Sequence, residues 1–133
     1  MPFKAYDGTS EYAKTKRQQV TLAEFFAEQY PEVTFVSMHP GWCDTPGVET
    51  SLPDFHKKFG KSLRTPAMGA DTITWLAVEK EEYLESGQFY RDRSPETKHL
   101  WGGGTKYDDA TRNALVETLQ TIVAHGGRMP PPG

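Results

Sequence analysis

The sequence predicts the C-terminal part of a larger α/β domain with a parallel sheet. Three observations carry that expectation. A long amphipathic helix turns sharply into a short apolar strand, a loop rich in Pro and Gly follows the strand directly, and three or four helices face only two convincing strands. Parallel strands are stable when flanked by other strands and covered on both faces, so two strands alone leave edges and apolar faces without partners.

The helix comes first. From about Glu11 to Tyr30, residues Tyr12, Lys16, Gln19, Val20, Ala23, Phe26, Ala27 and Tyr30 recur at intervals that stack on one helical face. Pro31 stops the helix, and "VTFVSM", Val33 to Met38, is apolar on both alternations, as a strand covered on both faces is. The stretch "HPGWCDTPG", His39 to Gly47, then forbids regular structure. Loops at the C-terminal ends of parallel strands are where open α/β sheets bind ligands.

Val48, Leu52, Phe55, Phe59 and Leu63 continue at helical spacing, and Pro53 confines any helix there to the part beginning at or just before it. Thr65-Pro66 is a cap followed by proline at the first helical position. It opens a second helix to about Glu81, with Ala70, Ile73, Thr74 and Ala77 on one face. "QFYRD", Gln88 to Asp92, is the second strand, and a loop from Ser94 to Lys106 follows. A third helix runs from about Asp109 to His125 with Leu115, Leu119 and Ile122 inward and Gly126 as its stop. The organisation is therefore one partial domain over residues 1–125 and a frayed Gly/Pro tail over 126–133.

Composition narrows the function classes. The 133 residues are 36% hydrophobic and 25% charged, as in one globular domain. A net charge of −3 supplies no basic footprint for a nucleic acid. Cys43 is the single cysteine and cannot form an intramolecular disulfide, while His39, His56, His99 and His125 share no metal-binding interval. Cys43 reads as a small loop residue and no metal is expected. No apolar run approaches the ~20 residues of a membrane span, and the N-terminus lacks a signal-peptide core. With Met1 as the native start, the expected location is cytoplasmic.

Tyr12 and Lys16 are the candidate chemistry. A phenol with a reference pKa of ~10 is a poor proton donor or acceptor at neutral pH, and an ammonium beside it favours phenolate. The i, i+4 spacing brings such a pair together on a helix, which suits proton transfer to or from an alcohol or carbonyl oxygen. Six tyrosines and nine lysines yield about 0.4 such spacings by chance in a chain of this length. The pair alone is therefore weak; its position before a strand and a Pro-Gly loop strengthens it.

"YAKTK" followed after the next strand by "HPGWCDT" resembles the short-chain dehydrogenase/reductase (SDR) family, whose Tyr-x-x-x-Lys and downstream Pro-Gly-x-x-x-Thr occur in this order. "FHKKFGKSLRT" and "GADTITWLA" extend the resemblance, which runs from about Tyr6 to Arg93. It implies a Rossmann-like doubly wound parallel sheet, of which this chain lacks the N-terminal dinucleotide-binding half. It further implies an NAD(P)-dependent oxidoreductase acting on an alcohol or carbonyl.

Under that resemblance Tyr12 is the general acid/base, and Lys16 favours its phenolate and holds the nicotinamide ribose. Pro40 and Gly41 shape the loop beneath the nicotinamide, and Thr45 offers its hydroxyl to the cofactor. Val48, Leu52, Phe55 and Phe59 belong to a substrate lid, although an apolar helical stripe is more often the mark of simple packing.

The departures leave enzymatic activity open. The family's Gly-rich phosphate loop is absent, since Gly102 to Gly104 follow no apolar strand and Tyr107 stands where a third glycine belongs. The active-site serine lies further upstream in the family than this chain extends, and Ser10 reads as a helix N-cap. NAD or NADP is thus expected only if the missing half is supplied. The alternative is a truncated, inactive relative that binds a protein partner, or a second copy of itself, along its open sheet edge.

Overall fold

The computed structural model describes residues 6–99 and 102–127. The predicted tail beyond residue 127 lies outside them. The elements are α1 (Gly8–Gln29), β1 (Ser37–Met38), α2 (Pro46–Ser51), α3 (Pro53–Phe59), α4 (Pro66–Val78), β2 (Phe89–Arg91), β3 (Ser94–Pro95) and α5 (Asp109–Ala124), with single 3-10 turns at Gly60–Ser62 and Glu81–Tyr83. Among the described residues no helix is long and apolar enough to cross a membrane.

Helix α1 begins earlier than its apolar stripe suggests. Asp7, not Ser10, is the N-cap: its carboxylate accepts from the Thr9 N–H at 3.1 Å and from the Ser10 hydroxyl at 2.6 Å. An acid outcompetes the serine at this end because it can accept both bonds at once and faces the positive end of the helix dipole. Thr65 caps α4 as its sequence predicts, accepting from Met68 N–H at 3.2 Å, and Asp108 caps α5 by accepting from Thr111 N–H at 2.8 Å. Gly126, at φ 65°, stops α5.

The sheet is small and mixed, with strand order β1-β2-β3. Strand β1 pairs in parallel with β2, Ser37 opposite Phe89 and Met38 opposite Tyr90. The expected six-residue strand thereby shrinks to two residues. Its backbone bonds run only toward the β2 side, through Gly87 N–H to Phe35 O, Ser37 N–H to Gln88 O and His39 N–H to Tyr90 O, and residues 34–38 are half-buried.

The third strand is a departure from a purely parallel sheet. β3 returns antiparallel to β2 with Tyr90 opposite Pro95 and Arg91 opposite Ser94, in place of the predicted loop. Asp92 and Arg93 form the turn at φ 51° and 59°, the left-handed pair that a tight hairpin requires. Two ion pairs hold it: Asp92 with Arg64, and Arg93 with Asp71.

The core is thin. Among the described residues only Tyr90 on β2 (2% exposed) and Val116 on α5 (6%) are buried apolar side chains. Tyr90 packs beside Trp75 with ring centroids 5.9 Å apart and accepts from the Glu85 N–H at 3.1 Å. The C-terminal half of α1 docks through Phe26, which lies 5.6 Å from the Phe35 ring, and through Ala27, which presses on Gly87. Gly87 is needed twice over, since its φ is 81° and an added Cβ would sit 3.3 Å from Ala27 Cβ. The accessible surface of 10396 Å² exceeds the roughly 7,000 Å² of a compact 15 kDa chain.

Helix α4 turns inward a different face from the one that carries Ala70, Ile73, Thr74 and Ala77. Gly69 and Thr72 are buried, while Ala70, Ile73, Thr74 and Ala77 are exposed. The Cys43 thiol lies directly against Gly69, where any Cβ would collide with it, and the Thr72 hydroxyl accepts from Arg93 N–H at 3.3 Å. Close approach of a loop thus selects the smallest side chain rather than the apolar stripe. On α5, Leu115, Leu119 and Ile122 are half-buried around Val116, as predicted.

Candidate active site

The site residues predicted from sequence occupy two places, the first turns of α1 and the loop after β1. On α1, the Lys16 ammonium lies 5.6 Å from the centroid of the Tyr12 ring and 3.4 Å from Gln19 Oε1. Tyr12 is 64% exposed, and Lys16 and Gln19 are exposed too, so this half of the predicted inner stripe faces outward. Lys14 belongs to a separate pair with Glu11 at 2.6 Å.

The loop is built around Gly41 and Arg64. Gly41 adopts φ 77°, and a Cβ there would fall 2.7 Å from Arg64 Nε and 2.8 Å from Arg64 Cζ. Its glycine is therefore required by backbone conformation and by the guanidinium lying against it. Arg64 donates to Pro40 O at 3.3 Å and makes a two-pronged bond to Asp92 at 2.5 and 2.8 Å. That bond holds the Asp92 carboxyl below the usual carboxylate range. The backbone closes the same unit, with Arg64 N–H on Trp42 O and Asp44 N–H on Arg64 O. Sequence reasoning missed Arg64 because its partner lies 28 residues away and no local pattern marks it.

His39, treated as an ordinary polar residue from sequence, has a defined task. Its Nδ1 accepts the Gly41 N–H at 2.9 Å, which requires that nitrogen to be unprotonated. Burial, followed by the charges of Arg91 and Arg64, pushes the imidazole below its ordinary value. The neutral ring thus helps to fix the turn at Gly41.

Thr45 caps α2, its hydroxyl oxygen accepting from Val48 N–H at 3.3 Å while the O–H remains able to donate. Val48, Leu52 and Phe55 are half-buried and Phe59 is 41% exposed. Leu52 is the joint between α2 and α3, imposed by Pro53. Trp42 packs against Phe55 and Phe55 against Phe59 in tilted pairs with ring centroids 4.8 and 5.1 Å apart, so an aromatic row ties the Pro-Gly loop to α3. His56 Nε2 and Asp44 Oδ1, 2.8 Å apart, add a polar tie alongside it.

Among the described residues these two places share no hydrogen bond. The side-chain bond of Lys16 stays within α1, while Pro40, Gly41 and Thr45 bond within their own loop, to Arg64 and to α2. Cavities of about 240 and 400 Å³ lie along the other flank of α1 toward α5, and neither is lined by a predicted site residue. Among the described residues no group of three or more His, Cys, Asp or Glu could hold a metal ion.

The arrangement supplies an exposed phenol with an ammonium at its ring, a rigid glycine turn and an apolar flap hinged beside it. Comparison with known proteins adds a separate line. No protein-family model matches the chain, and no solved structure matches it either. Among curated proteins it is 45% identical over 118 residues to dehydrogenase/reductase SDR family member 12 from Homo sapiens, covering 88% of this chain and 37% of the relative. Its bovine counterpart is 45% identical over 119 residues, 89% of this chain and 38% of that protein. The short chain dehydrogenase mpl6 of Monascus purpureus is 34% identical over 79 residues, 58% of this chain and 26% of that relative. The chain thus spans well under half the length of each of these relatives. With 45% identity to two of these relatives across most of its own length, the chain belongs to the short-chain dehydrogenase/reductase family.

Proposed function

We propose that this chain is the catalytic and substrate-binding segment of an NAD(P)-dependent oxidoreductase acting on an alcohol or carbonyl, the C-terminal portion of a Rossmann-like domain. The observation that carries the reading is the pairing of Tyr12 and Lys16 on α1 with a Pro-Gly turn locked at the end of a parallel strand. Geometry supports their proximity. Six extended residues from Val33 return about 20 Å, the rise of some 13 helical residues, which brings the loop back level with the Lys16 turn.

The residues present fit a nicotinamide nucleotide. Lys16 uses one of its three donors on Gln19, leaving two for ribose hydroxyls, and Thr45 retains its O–H. Pro40 and Gly41 form a turn held rigid from below by Arg64. When bound, the nicotinamide supplies or accepts the hydride. Tyr12 moves the proton at the substrate oxygen, Lys16 holds the ribose beside it, and Val48, Leu52, Phe55 and Phe59 close over the substrate to exclude water.

One set of observations favours a second reading, in which the chain is an inactive relative that serves by binding another polypeptide. The thin core, the open edge of β1 and exposed apolar side chains such as Ile73, 57% exposed, call for cover. Fluorescence titration with NADH and NADPH separates the two. It uses the chain alone and a chimera in which the chain replaces the matching segment of the human relative. Saturable binding by the chimera is expected; a folded chimera that binds neither nucleotide overturns the enzymatic reading.

A further inference from the structure

The sheet brings two loops side by side. Because β1 and β2 run parallel, with Met38 opposite Tyr90, the Pro-Gly loop after β1 and the Asp92-Arg93 turn after β2 leave the same end of the sheet. The His39 N–H, bonded to Tyr90 O at 3.0 Å, marks where the two backbones part. The Arg64 side chain spans the gap between them. Its Nη1 donates to Pro40 O at 3.3 Å and to Asp92 Oδ1 at 2.5 Å, and its Nη2 donates to Asp92 Oδ2 at 2.8 Å. One carboxylate thus fixes the plane of the guanidinium, and that plane lies against Gly41. Forked pairing of this kind gives geometric specificity as well as energy. The two side chains are 27% and 55% exposed, and exposed pairs add little to stability, so the pair acts chiefly on shape.

The turn that carries Asp92 is itself held in place. Asp92 and Arg93 both adopt left-handed backbone, at φ 51° and 59°, where Asn, Asp and Gly are the usual residues and Arg is uncommon. Non-glycine residues persist in such conformations when their surroundings over-determine them, and they cluster at functional sites. Here the Arg93 N–H donates to Thr72 Oγ1 at 3.3 Å and the Arg93 guanidinium forks onto Asp71, both partners on α4. Helix α4 is capped by Thr65, the residue after Arg64. The contacts therefore close a ring, from the Pro-Gly turn through Arg64 and Asp92 to α4 and back to Arg64.

We propose that Asp92 is a positioning residue for the nicotinamide-binding turn: acting through Arg64, it fixes the Pro40-Gly41 backbone so that a nucleotide meets a surface already in shape. A preformed surface binds more tightly because little ordering remains to be done when the ligand arrives. The inference rests on the oxidoreductase reading and extends it to a residue that touches neither nucleotide nor substrate. It also gives the β2–β3 turn a task, since the same left-handed pair that reverses the chain aims the Asp92 carboxylate at Arg64.

The test compares two carboxylates that each hold an arginine at this end of the sheet. Asp92→Asn suits the left-handed backbone and removes the charge that holds Arg64, whereas Asp71→Asn removes the partner of Arg93 and leaves Arg64 its acid. In the chimera with the human relative, Asp92→Asn should raise the KM for NADH or NADPH about ten-fold or more while kcat stays within about two-fold of the parent. Asp71→Asn should leave that KM near the parent value. Arg64→Lys keeps the charge but loses the fork, so it should match Asp92→Asn, and the double variant should be no worse than either alone. Independently of any nucleotide, nitrogen-15 relaxation of the Gly41 amide in the whole chain should show a loss of order in Asp92→Asn and none in Asp71→Asn. A parent chimera that binds neither nucleotide removes the oxidoreductase reading, and the Gly41 amide then decides whether Asp92 shapes the turn. Equal effects of Asp92→Asn and Asp71→Asn, on KM or on the Gly41 amide, overturn the proposal.

Discussion

The two ends of α1 live in different surroundings. Its C-terminal half is docked by Phe26 on Phe35 and by Ala27 on Gly87, and its seam with α5 is laced by Glu24, Lys98, Glu28, Arg112 and Tyr107. Its N-terminal half presents Tyr12 and Lys16 outward, bonded only within the helix. The same contrast runs through the glycines. Gly41 and Gly69 are pinned by side chains lying against them, whereas Gly104, also at positive φ, meets nothing within 4 Å. Stability in this chain is thus concentrated away from Tyr12 and Lys16, the pair proposed for acid/base work, and that pair faces outward.

The largest effect expected is at Gly69. Gly69→Val drives two methyl groups into the Cys43 thiol and should cost about 3 kcal/mol or more, read as a fall in the denaturant midpoint. Gly41→Ala should cost about 1–3 kcal/mol from its left-handed backbone, with displacement of Arg64 in addition. Gly104→Ala carries only the backbone share, about 1–2 kcal/mol. Equal losses at Gly41 and Gly104 would break the claim that Arg64 clamps the Pro-Gly turn.

A smaller contrast distinguishes the two tyrosines. Tyr107→Phe leaves a partly buried Glu24 oxygen without its phenol donor and should cost about 1–2 kcal/mol, while exposed Tyr12→Phe should stay within about 0.5 kcal/mol. Thermal melts of both variants check this. Lys16→Ala and Lys14→Ala should likewise be indistinguishable in stability, because both are exposed.

The pH dependence comes from His39. Its value is lowered in the folded chain, so the unfolded state binds more protons as acid is added. The stabilising effect of the neutral imidazole is present above its unfolded value near 6.5 and is lost as the pH falls below it. Trp42 fluorescence, reporting the neighbouring loop, should change on acidification from pH 7 toward 5. His39→Gln, whose amide does not titrate in that range, should flatten the change.

Much of the outline was legible in the sequence. Helix boundaries at Thr65-Pro66, Asp108 and Gly126 are set by local capping chemistry, which short stretches encode directly. The order of Tyr12, Lys16, Pro40, Gly41 and Thr45 carried the family. What escaped was non-local. Arg64 acquires its role from Asp92, far along the chain. The β2–β3 turn uses Asp92 and Arg93 in place of a glycine and is held by ion pairs instead of turn propensity. The buried face of α4 was not legible because the helix carries apolar residues around its circumference, and contact with Cys43 selected Gly69. His39 looked generic because its bond to Gly41 depends on the loop's shape.

The central claim is that Tyr12 and Lys16 are an acid/base pair and not two surface neighbours. Its most direct test is turnover by the chimera with the human relative, measured with NADH and NADPH against a panel of ketones and secondary alcohols. Tyr12→Phe should lower kcat about 10²–10⁴-fold with the melting temperature unchanged. Lys16→Ala should depress turnover strongly while Lys14→Ala leaves it near the parent value. Full activity in Tyr12→Phe, or equal losses from the two lysines, would contradict the account.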